Sequence, residues 1–192
     1  MTQPYNVAVI VGSLREASLS RKAAQALAQL APDSLALEIV ETGDLPLYDE
    51  DLEGDGTPAA WTRFREQVRG ADAVLFVTPE YNRSVPGGLK NAIDVGSRPY
   101  GHAVWSGKPA AVMSLSMGAL GGFGANHHLR QMLVFFDMPL LQQPEAYVGS
   151  AHTLFDADGH LASEATEAFF KSFVDAFAGL VKRVVPARAL AA

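Results

Sequence analysis

Two kinds of apolar pattern alternate along the chain. Residues 6–12 (NVAVIVG) and 71–78 (ADAVLFVT) are short and almost continuously apolar, as is typical of strands that are buried on both faces. Each is followed by a stretch that we predict as a helix, namely the Ala- and Leu-rich residues 21–31 and residues 86–97. Alternating strands and helices predict a mostly parallel sheet with helices on both sides, which is the doubly wound α/β class.

The remaining elements continue this alternation. Further strands are predicted at residues 35–41, 109–116 and 140–148, and further helices at residues 58–70, 125–137 and about 163–184. The stripe of the last helix that is predicted to pack on the sheet consists of Phe169, Phe173, Phe177, Leu180, Val181 and Val184. The opposite, solvent-facing side carries Glu167, Lys171, Asp175 and Lys182. By the same helical spacing, the predicted core residues of the second helix are Trp61, Phe64 and Val68.

We predict that residues 1–192 form a single domain, because the chain has no internal repeat, low-complexity stretch or interdomain linker. The irregular residues 42–58 are rich in turn-forming and acidic residues and are predicted as a surface loop. A hydrophobic content of 48% is sufficient for a buried core. The N-terminal apolar stretch of about seven residues is too short for a signal peptide or a membrane span, so we expect a cytoplasmic protein.

Charge and cysteine content exclude several classes of function. A formal net charge of -6 and a pI near 5.3 leave no wide basic surface for nucleic acid and no polybasic segment for an anionic membrane. The chain has no cysteine, which excludes disulfides, thiolate nucleophiles and cysteine-ligated metals or iron–sulfur clusters. We therefore expect small-molecule partners, and neither nucleic acid nor a membrane.

A loop rich in hydroxyl groups, residues 12–20, connects the first predicted strand to the first predicted helix. Open α/β sheets bind the phosphate of a nucleotide ligand at this position. Ser13, Ser18 and Ser20 can donate hydrogen bonds to an anion, Arg15 adds a full positive charge, and the helix N-terminus adds about half a charge. The alternative is that the serines only cap the helix and that Arg15 is a solvated charge. Because dinucleotide and Walker motifs are absent, a mononucleotide phosphate is the favoured ligand.

A second candidate loop, residues 78–91, begins where the third predicted strand ends. In a sheet of order 2-1-3-4-5 it lies beside the first loop, at the point where the topology reverses. Pro79 stiffens the turn, so the N–H groups of Glu80, Tyr81 and Asn82 are predicted to face the carbonyl and nitrogen edge of a planar heterocycle. The two loops together predict a site for a ligand with a phosphate and a flat ring.

Four sequence segments carry a family resemblance: GSLREASLSRK (12–22), TPEYNRSVPGGLKNAID (78–94), SLSMGALGG (114–122) and HLRQMLVFFDMPLLQQPE (128–145). In this order and spacing they resemble the NADPH-dependent FMN reductase family, especially its chromate and quinone reductase branch. The resemblance spans about residues 5–150, and the second segment is highly specific. It implies a flavodoxin-like three-layer α/β sandwich with a five-stranded parallel sheet of order 2-1-3-4-5.

The resemblance also implies which residues bind FMN. The family holds the FMN phosphate in the first loop, and the second loop and the loop after the fourth strand contact the isoalloxazine ring. Carried over, the cofactor-binding residues are Ser13, Arg15, Ser18, Leu19 and Ser20, then Pro79, Glu80, Tyr81 and Asn82, then Ser116, Met117 and Gly118. Relatives commonly have Asn in place of Ser20 and larger or charged residues in place of Gly124 and His127. Subunit contacts around residues 124–130 are therefore not carried over.

The implied activity is hydride transfer from NADPH or NADH to bound FMN and then to quinones, free flavin or metal oxyanions such as chromate. Because this chemistry belongs to the cofactor, we expect ping-pong turnover without an essential catalytic side chain. The alternative is a flavodoxin-type electron carrier, which has the same cofactor and fold but no nicotinamide turnover of its own. The resemblance, together with apolar residues expected to be exposed near Tyr100, Val104 and Trp105, also implies a homodimer or homotetramer.

Three other groups of side chains are of types that can form a functional site. His127 and His128 are adjacent on a predicted helix and point about 100° apart, so surface or interface positions are favoured over a metal pair. The acidic residues 49–51 lack the glycine and the spacing of a calcium loop, and we predict a solvated loop without a metal. For Lys90 and Asn91 two alternatives stay open, a position in the crevice and one on the outer face of the helix.

Overall fold

The computed structural model describes residues 3–186, in which strands and helices alternate. The strands are β1 (Tyr5–Val11), β2 (Leu35–Ile39), β3 (Ala73–Pro79), β4 (Ala110–Leu115) and β5 (Ala146–Val148). The α-helices are α1 (Leu19–Leu30), α2 (Ala59–Gly70), α3 (Gly87–Gly96), α4 (Phe123–Phe135) and α5 (Glu164–Val184). Within this part of the chain, none of the helices has the length and apolar character needed to cross a membrane.

The sheet has the predicted topology, because every strand pair is parallel and the order is β2-β1-β3-β4-β5. This confirms the flavodoxin-like three-layer α/β class. Val9 of β1 lies opposite Ile39 of β2 and Leu75 of β3, and Pro79 lies opposite Leu115 of β4. Since the strands are parallel, the loops after β1, β3 and β4 leave the sheet at one edge. The crevice of the topological switch lies between the loops after β1 and β3.

Both faces of the sheet are buried, which explains the continuous apolar pattern of its strands. In β1, Val7, Val9 and Val11 belong to a core cluster with side chains of α1 and α5. Ala8 and Ile10 belong to a second core cluster on the other face, with side chains of α2, α3 and α4. The predicted core residues of α2 are fully buried in this second cluster, and they are Trp61, Phe64 and Val68.

Helix α5 is amphipathic as predicted, but the prediction of its buried stripe was partly wrong. The residues buried as predicted are Phe173, Phe177, Leu180 and Val181. Phe169 is only partly buried and Val184 is 37% exposed, whereas Phe170 and Val174 fill the first cluster. At about 100° per residue, Phe170 and Val174 lie on the line through the buried residues, and Phe169 lies at its margin. Val184 lies on the same line, but it is the last residue of α5. The predicted polar face, Glu167, Lys171, Asp175 and Lys182, is exposed.

The last strand is shorter than predicted, because only three residues of the predicted range 140–148 form β5. Leu140 makes an isolated bridge to Ala110, and the N–H of Leu141 donates to the Ala110 carbonyl at 2.8 Å. The ladder then stops and resumes at Ala146. Pro144 has no N–H to donate, which is a physical reason for the interruption.

The prediction that Val104 and Trp105 are exposed was wrong, whereas Tyr100 is 90% exposed. The Trp105 ring lies against Phe64 and Phe76, and its Nε1 donates to the Ile93 carbonyl at 3.0 Å. The ring packs so closely on α3 that a Cβ at Gly96 would lie 2.6 Å from it. An apolar residue between turns can face inward or outward. Composition alone therefore did not predict that Val104 and Trp105 are buried while Tyr100 is exposed.

Candidate cofactor site

A cavity of about 330 Å³ lies at the edge of the sheet where the loops after β1, β3 and β4 meet. It is lined by Ser13, Arg15, Ser18, Leu19, Ser20, Pro79, Glu80, Tyr81, Leu115, Ser116, Met117 and Ala151. The structure therefore brings together residues of all three predicted segments. Asn82 and Gly118 do not line the cavity, although they lie in the same loops. A larger depression of about 480 Å³ between β2 and α2 carries Glu38 and Glu66 as its charged lining residues, which would repel a phosphate.

Close packing of β1 against β3 sets the start of the first loop. A Cβ at Gly12 would lie 2.9 Å from the Cβ of Thr78 and 3.2 Å from the Cδ of Pro79. The Gly12 N–H donates to the Val77 carbonyl at 2.9 Å, so the backbone stays in contact with β3 as it leaves the sheet. Only glycine fits this close approach, and it brings the first loop directly beside Pro79.

The first loop presents hydrogen-bond donors to the cavity. Ser13, Ser18 and Ser20 are buried, and Arg15 is exposed at the rim. Ser18 is the N-cap of α1, because its Oγ accepts from the Arg21 N–H at 3.1 Å. The capping alternative is thus correct for the Ser18 side chain.

The hydroxyl groups of Ser13 and Ser20 have no hydrogen-bond partner among residues 3–186. The N–H groups of Leu19 and Ser20 lie in the first turn of α1, where no preceding helical carbonyl is available to them. The first turn contains no acidic residue that could occupy this position. Two hydroxyls, two N–H groups and the Arg15 cation form a set of donors without an acceptor, which fits a phosphate group.

The loop after β3 contains a tight turn over residues 81–84. The N–H of Tyr81 donates to the Ser84 carbonyl at 2.9 Å, and the N–H of Ser84 donates to the Tyr81 carbonyl at 3.0 Å. Asn82 and Arg83 have φ of +51° and +67°, so the turn has the left-handed geometry of type I′. The Tyr81 N–H is therefore engaged within the turn and does not face the cavity as predicted. The Asn82 N–H has no acceptor in the described chain. The pairing of Pro79 with Leu115 directs the Glu80 N–H toward the Leu115 carbonyl of β4.

The side chain of Glu80 contacts helix α4. Its Oε2 accepts from the Ala125 N–H at 3.0 Å, so the carboxylate caps the N-terminal turn of α4. A Cβ at Gly124 would lie 2.9 Å from this oxygen and 2.8 Å from the Arg83 carbonyl oxygen. Glu80 thus joins the loop after β3 to α4, while its backbone lines the cavity.

The loop after β4 closes the third side of the cavity. The Ser116 N–H donates to the Val148 carbonyl at 3.0 Å, and the Ala151 N–H donates to the Ser116 carbonyl at 2.9 Å. The Ser116 Oγ donates to the Gly118 carbonyl at 2.9 Å, and Gly118 does not line the cavity. Met117 is 62% exposed at the mouth.

Leu115 and Ala151 line the cavity and were missed by the sequence interpretation. Leu115 is the last residue of β4, and its place at a strand end was a signal that could have identified it. Ala151 follows β5, and it reaches the cavity because its N–H bonds to the Ser116 carbonyl. No sequence pattern indicates that contact.

Neither Lys90 nor Asn91 lines the cavity. Lys90 lies on the outer face of α3, which was one of the two alternatives, whereas Asn91 is buried and fits neither of them. Lys90 forms a surface ion pair with Asp94, with 2.7 Å between Nζ and Oδ2. Asn91 is buried and holds the loop after β2, because its Oδ1 accepts from the Tyr48 N–H at 2.8 Å and its Nδ2 donates to the Pro46 carbonyl at 3.0 Å.

The two histidines of α4 have different partners. The Nδ1 of His127 lies 3.1 Å from the Phe123 carbonyl, and its ring stacks on Phe123 with 4.0 Å between centroids. The Nδ1 of His128 lies 3.0 Å from the Oγ of Ser84. His127 also stacks on Tyr147, where burial and a hydrogen bond to Glu145 raise the pKa of the phenol. A cluster with metal-ligand spacing in the described chain is the exposed group Asp156, Asp158 and His160, none of which lines the cavity.

Comparison with known proteins gives a consistent result. A model of the NADPH-dependent FMN reductase family matches residues 5–153. The chain is 65% identical over 182 residues to a quinone reductase of Pseudomonas putida, with 95% of this chain and 97% of the relative covered. It is 44% identical over 176 residues to a 2-hydroxy-1,4-benzoquinone reductase of a Burkholderia species, with 92% and 96% covered.

Among solved structures, FerB of Paracoccus denitrificans, a flavoenzyme NAD(P)H:(acceptor) oxidoreductase, is similar with a TM-score of 0.88 and 42% identity. The alignment covers 94% of this chain and 98% of FerB. Topology, the donor set of the cavity and these relatives all indicate an oxidoreductase with FMN and NAD(P)H as cofactors. The chain belongs to the NADPH-dependent FMN reductase family.

Proposed function

We propose that this protein reduces quinones with electrons from NADPH or NADH, which pass through FMN held in the cavity after β1, β3 and β4. The observation that carries the proposal is the meeting of an acceptor-free donor set with the loop after β3 in one cavity of about 330 Å³. Bound FMN supplies the two-electron redox chemistry. The residues of this chain bind, orient and partly enclose it.

The proposed division of roles follows the lining of the cavity. Ser13, Ser20 and Arg15 bind the phosphate with the N-terminal turn of α1, where the Ser18 hydroxyl caps the helix. The ring lies against Pro79, Glu80 and Tyr81, with Asn82 in the adjoining turn, and Ser116 and Met117 lie across it. Leu19 contributes backbone at the start of α1, and Gly118 supports the loop after β4 by accepting from the Ser116 Oγ.

The chemistry requires no acid–base pair from the chain. The titratable side chains of the lining are Arg15, Glu80 and Tyr81, and the Glu80 carboxylate already accepts from the Ala125 N–H. We therefore propose ping-pong turnover, in which the nicotinamide and then the acceptor use the same open side of the cavity. Tyr81 and Met117 are 45% and 62% exposed and lie at this opening.

The quinone class is the favoured acceptor, supported by the quinone and hydroxybenzoquinone reductase relatives. Free flavin and metal oxyanions such as chromate are further candidates. The test is steady-state kinetics of the FMN-loaded protein with NADPH or NADH and 1,4-benzoquinone, each varied at several concentrations of the other. Parallel double-reciprocal lines are expected. If FMN binds but no nicotinamide is oxidised, the protein is a flavodoxin-type carrier and the proposed reaction is wrong.

The phosphate assignment has its own test. We expect Ser13→Ala with Arg15→Ala to raise the Kd of FMN at least 100-fold, because two charge-assisted hydrogen bonds contribute roughly 1.5–3 kcal/mol each. A matched control is Ser106→Ala with Arg69→Ala, two exposed residues outside the cavity. FMN titration, monitored by flavin fluorescence, measures the Kd of both double variants. An FMN affinity that is the same in both double variants would contradict the assignment.

We also propose that the protein is a homodimer or homotetramer that works in the cytoplasm on small molecules. Support comes from large apolar side chains at the surface, with Tyr100 at 90%, Phe135 at 81% and Val134 at 68% exposure, and from the net charge of -6, which disfavours nucleic acid. Sedimentation at micromolar concentration tests the oligomer, and Phe135→Lys is expected to weaken it. A monomeric wild-type protein would contradict this part of the proposal.

A further inference from the structure

The first turns of α4 contact the loop after β3 on both sides of its tight turn. Before the turn, the Glu80 carboxylate accepts from the Ala125 N–H at 3.0 Å. At the last residue of the turn, the Oγ of Ser84 lies 3.0 Å from the Nδ1 of His128. Gly124 leaves the space that the Arg83 carbonyl occupies between these two points. One side of α4 therefore holds residues 80–84.

The turn needs such support from outside. Asn82 and Arg83 both have positive φ, and the hydrogen bonds within the turn join only Tyr81 and Ser84. Conformations of this kind persist in non-glycine residues only where the surroundings hold them. Glu80 and Tyr81, which line the cavity, lie directly before this turn and at its first residue.

We propose that His128 is a positioning residue for the flavin. By holding Ser84, its imidazole sets the orientation of the turn and with it the position of Glu80 and Tyr81 in the lining of the cavity. The inference rests on the proposed function, in which this loop contacts the isoalloxazine ring. His128 does not line the cavity, and it acts through Ser84.

The neighbouring histidine supplies a matched control. His127 is also exposed and lies on the same helix, but its Nδ1 faces the Phe123 carbonyl within α4 and its ring stacks on Phe123 and Tyr147. It makes no hydrogen bond to the turn. Loss of His127 should therefore leave the flavin unchanged, while loss of His128 should not.

The experiment compares His128→Ala, His128→Asn, His128→Gln and His127→Ala in the full chain. FMN titration gives the Kd, and visible circular dichroism of the bound flavin reports the ring environment. We expect His128→Ala to raise the Kd about two- to tenfold, the effect of one hydrogen bond, and to change the dichroism. The Asn side chain of His128→Asn places a polar atom where Nδ1 lies, so this variant should restore both the Kd of FMN and the dichroism. The Gln side chain of His128→Gln places its polar atom at the Nε2 position, so this variant should restore neither quantity.

Ser84→Ala tests the same contact from the other partner. It should reproduce the effect of His128→Ala, and the double variant should add nothing further, because both remove one interaction. Thermal unfolding of the FMN-free variants checks that the fold is intact. Equal Kd and dichroism for His128→Ala and His127→Ala would overturn the inference. A wild-type protein that binds no FMN would instead refute the proposed function, so the two failures are distinguishable.

Discussion

Gly12 lies where the first candidate loop leaves the sheet, and its lack of a side chain has a specific packing reason. The space that a Cβ would take is filled by Thr78 and Pro79 of β3. Ser13 and Ser20 follow as donors without acceptors, so the same few residues combine a packing constraint with a binding surface. The sequence indicated the binding surface, because the loop is rich in serine, but the packing constraint at Gly12 was found only in the structure. Which serine caps the helix and which ones face the cavity became clear only from the hydrogen bonds.

At the residue scale, we expect Gly12→Ala to lower the free energy of unfolding by about 1–3 kcal/mol, because the added methyl group forces β1 and β3 apart. The FMN Kd should also rise, since the first loop moves with the strand end. Urea unfolding and FMN titration measure the two effects. Gly70→Ala is the control, because nothing lies within 4 Å of a Cβ there. A neutral Gly12→Ala would show that the strand ends can separate without cost.

At the scale of the element, helix N-termini determine where an anion can bind. Ser18 caps α1 and Ser163 caps α5 in the same way, with their Oγ atoms accepting at 3.1 Å and 3.2 Å. The first turn of α5 carries Glu164 and Glu167, whereas that of α1 has no acidic residue. The N-terminus of α1 therefore keeps its partial positive charge available for a ligand.

We expect Ser18→Ala and Ser163→Ala to lower the free energy of unfolding by a similar amount, about 0.5–2 kcal/mol each, the typical effect of losing an N-cap. Of these two variants, only Ser18→Ala should raise the Kd of FMN, because the N-terminus of α1 lies at the cavity and that of α5 does not. Chemical denaturation of the FMN-free proteins and FMN titration provide the two measurements. An equal change in FMN affinity for both variants would contradict the role of α1.

An ion pair joins α1 to the segment after β2. The two terminal guanidinium nitrogens of Arg21 donate to the Glu41 carboxylate, at 2.8 Å and 2.7 Å, and this hydrogen bonding holds the pKa of Glu41 below its usual value. A lowered carboxyl pKa stabilises the fold above the unfolded-state pKa of about 4.3, and this contribution is lost as the pH falls through the folded-state value.

We therefore expect Glu41→Gln to lower the free energy of unfolding by about 0.2–1 kcal/mol at pH 7, a small value because the Glu41 side chain is 60% exposed. The difference from wild type should shrink as the pH falls below about 4.3. Urea titrations at several pH values measure it. Glu16→Gln, at an exposed carboxylate without a hydrogen-bond partner in the described chain, is the control. A difference in unfolding free energy that grows toward acid pH would contradict the predicted direction of the pH dependence.

At the scale of the whole molecule, the sheet separates two core clusters that share every central strand. Both tryptophans, Trp61 and Trp105, lie in the second cluster, while α1 and α5 cover the first. Tryptophan fluorescence therefore reports one layer, and far-ultraviolet circular dichroism reports the helices of both. A single domain requires the two signals to change together.

We expect coincident thermal transitions by fluorescence and by circular dichroism in the FMN-free protein. FMN at 100 times its Kd should add about 2.7 kcal/mol to the free energy of unfolding and shift both transitions together. Differential scanning calorimetry is the independent measurement. Two separate transitions would show that the layers unfold independently, and the prediction of one domain for residues 1–192 would then be wrong.

The sequence by itself determined the alternation of elements, the parallel doubly wound sheet and the two candidate loops after β1 and β3, because buried strands and loops rich in glycine, serine and proline have local patterns. The loop after β4 was implied only by the family resemblance. Only the tertiary structure decided that Trp105 faces inward, that β5 is short, that Tyr81 closes a turn and that Ala151 lines the cavity. It also decided that His128 and not His127 reaches Ser84. These features depend on contacts between residues far apart in the chain, and a local pattern contains no information about the atoms on the other side of a contact.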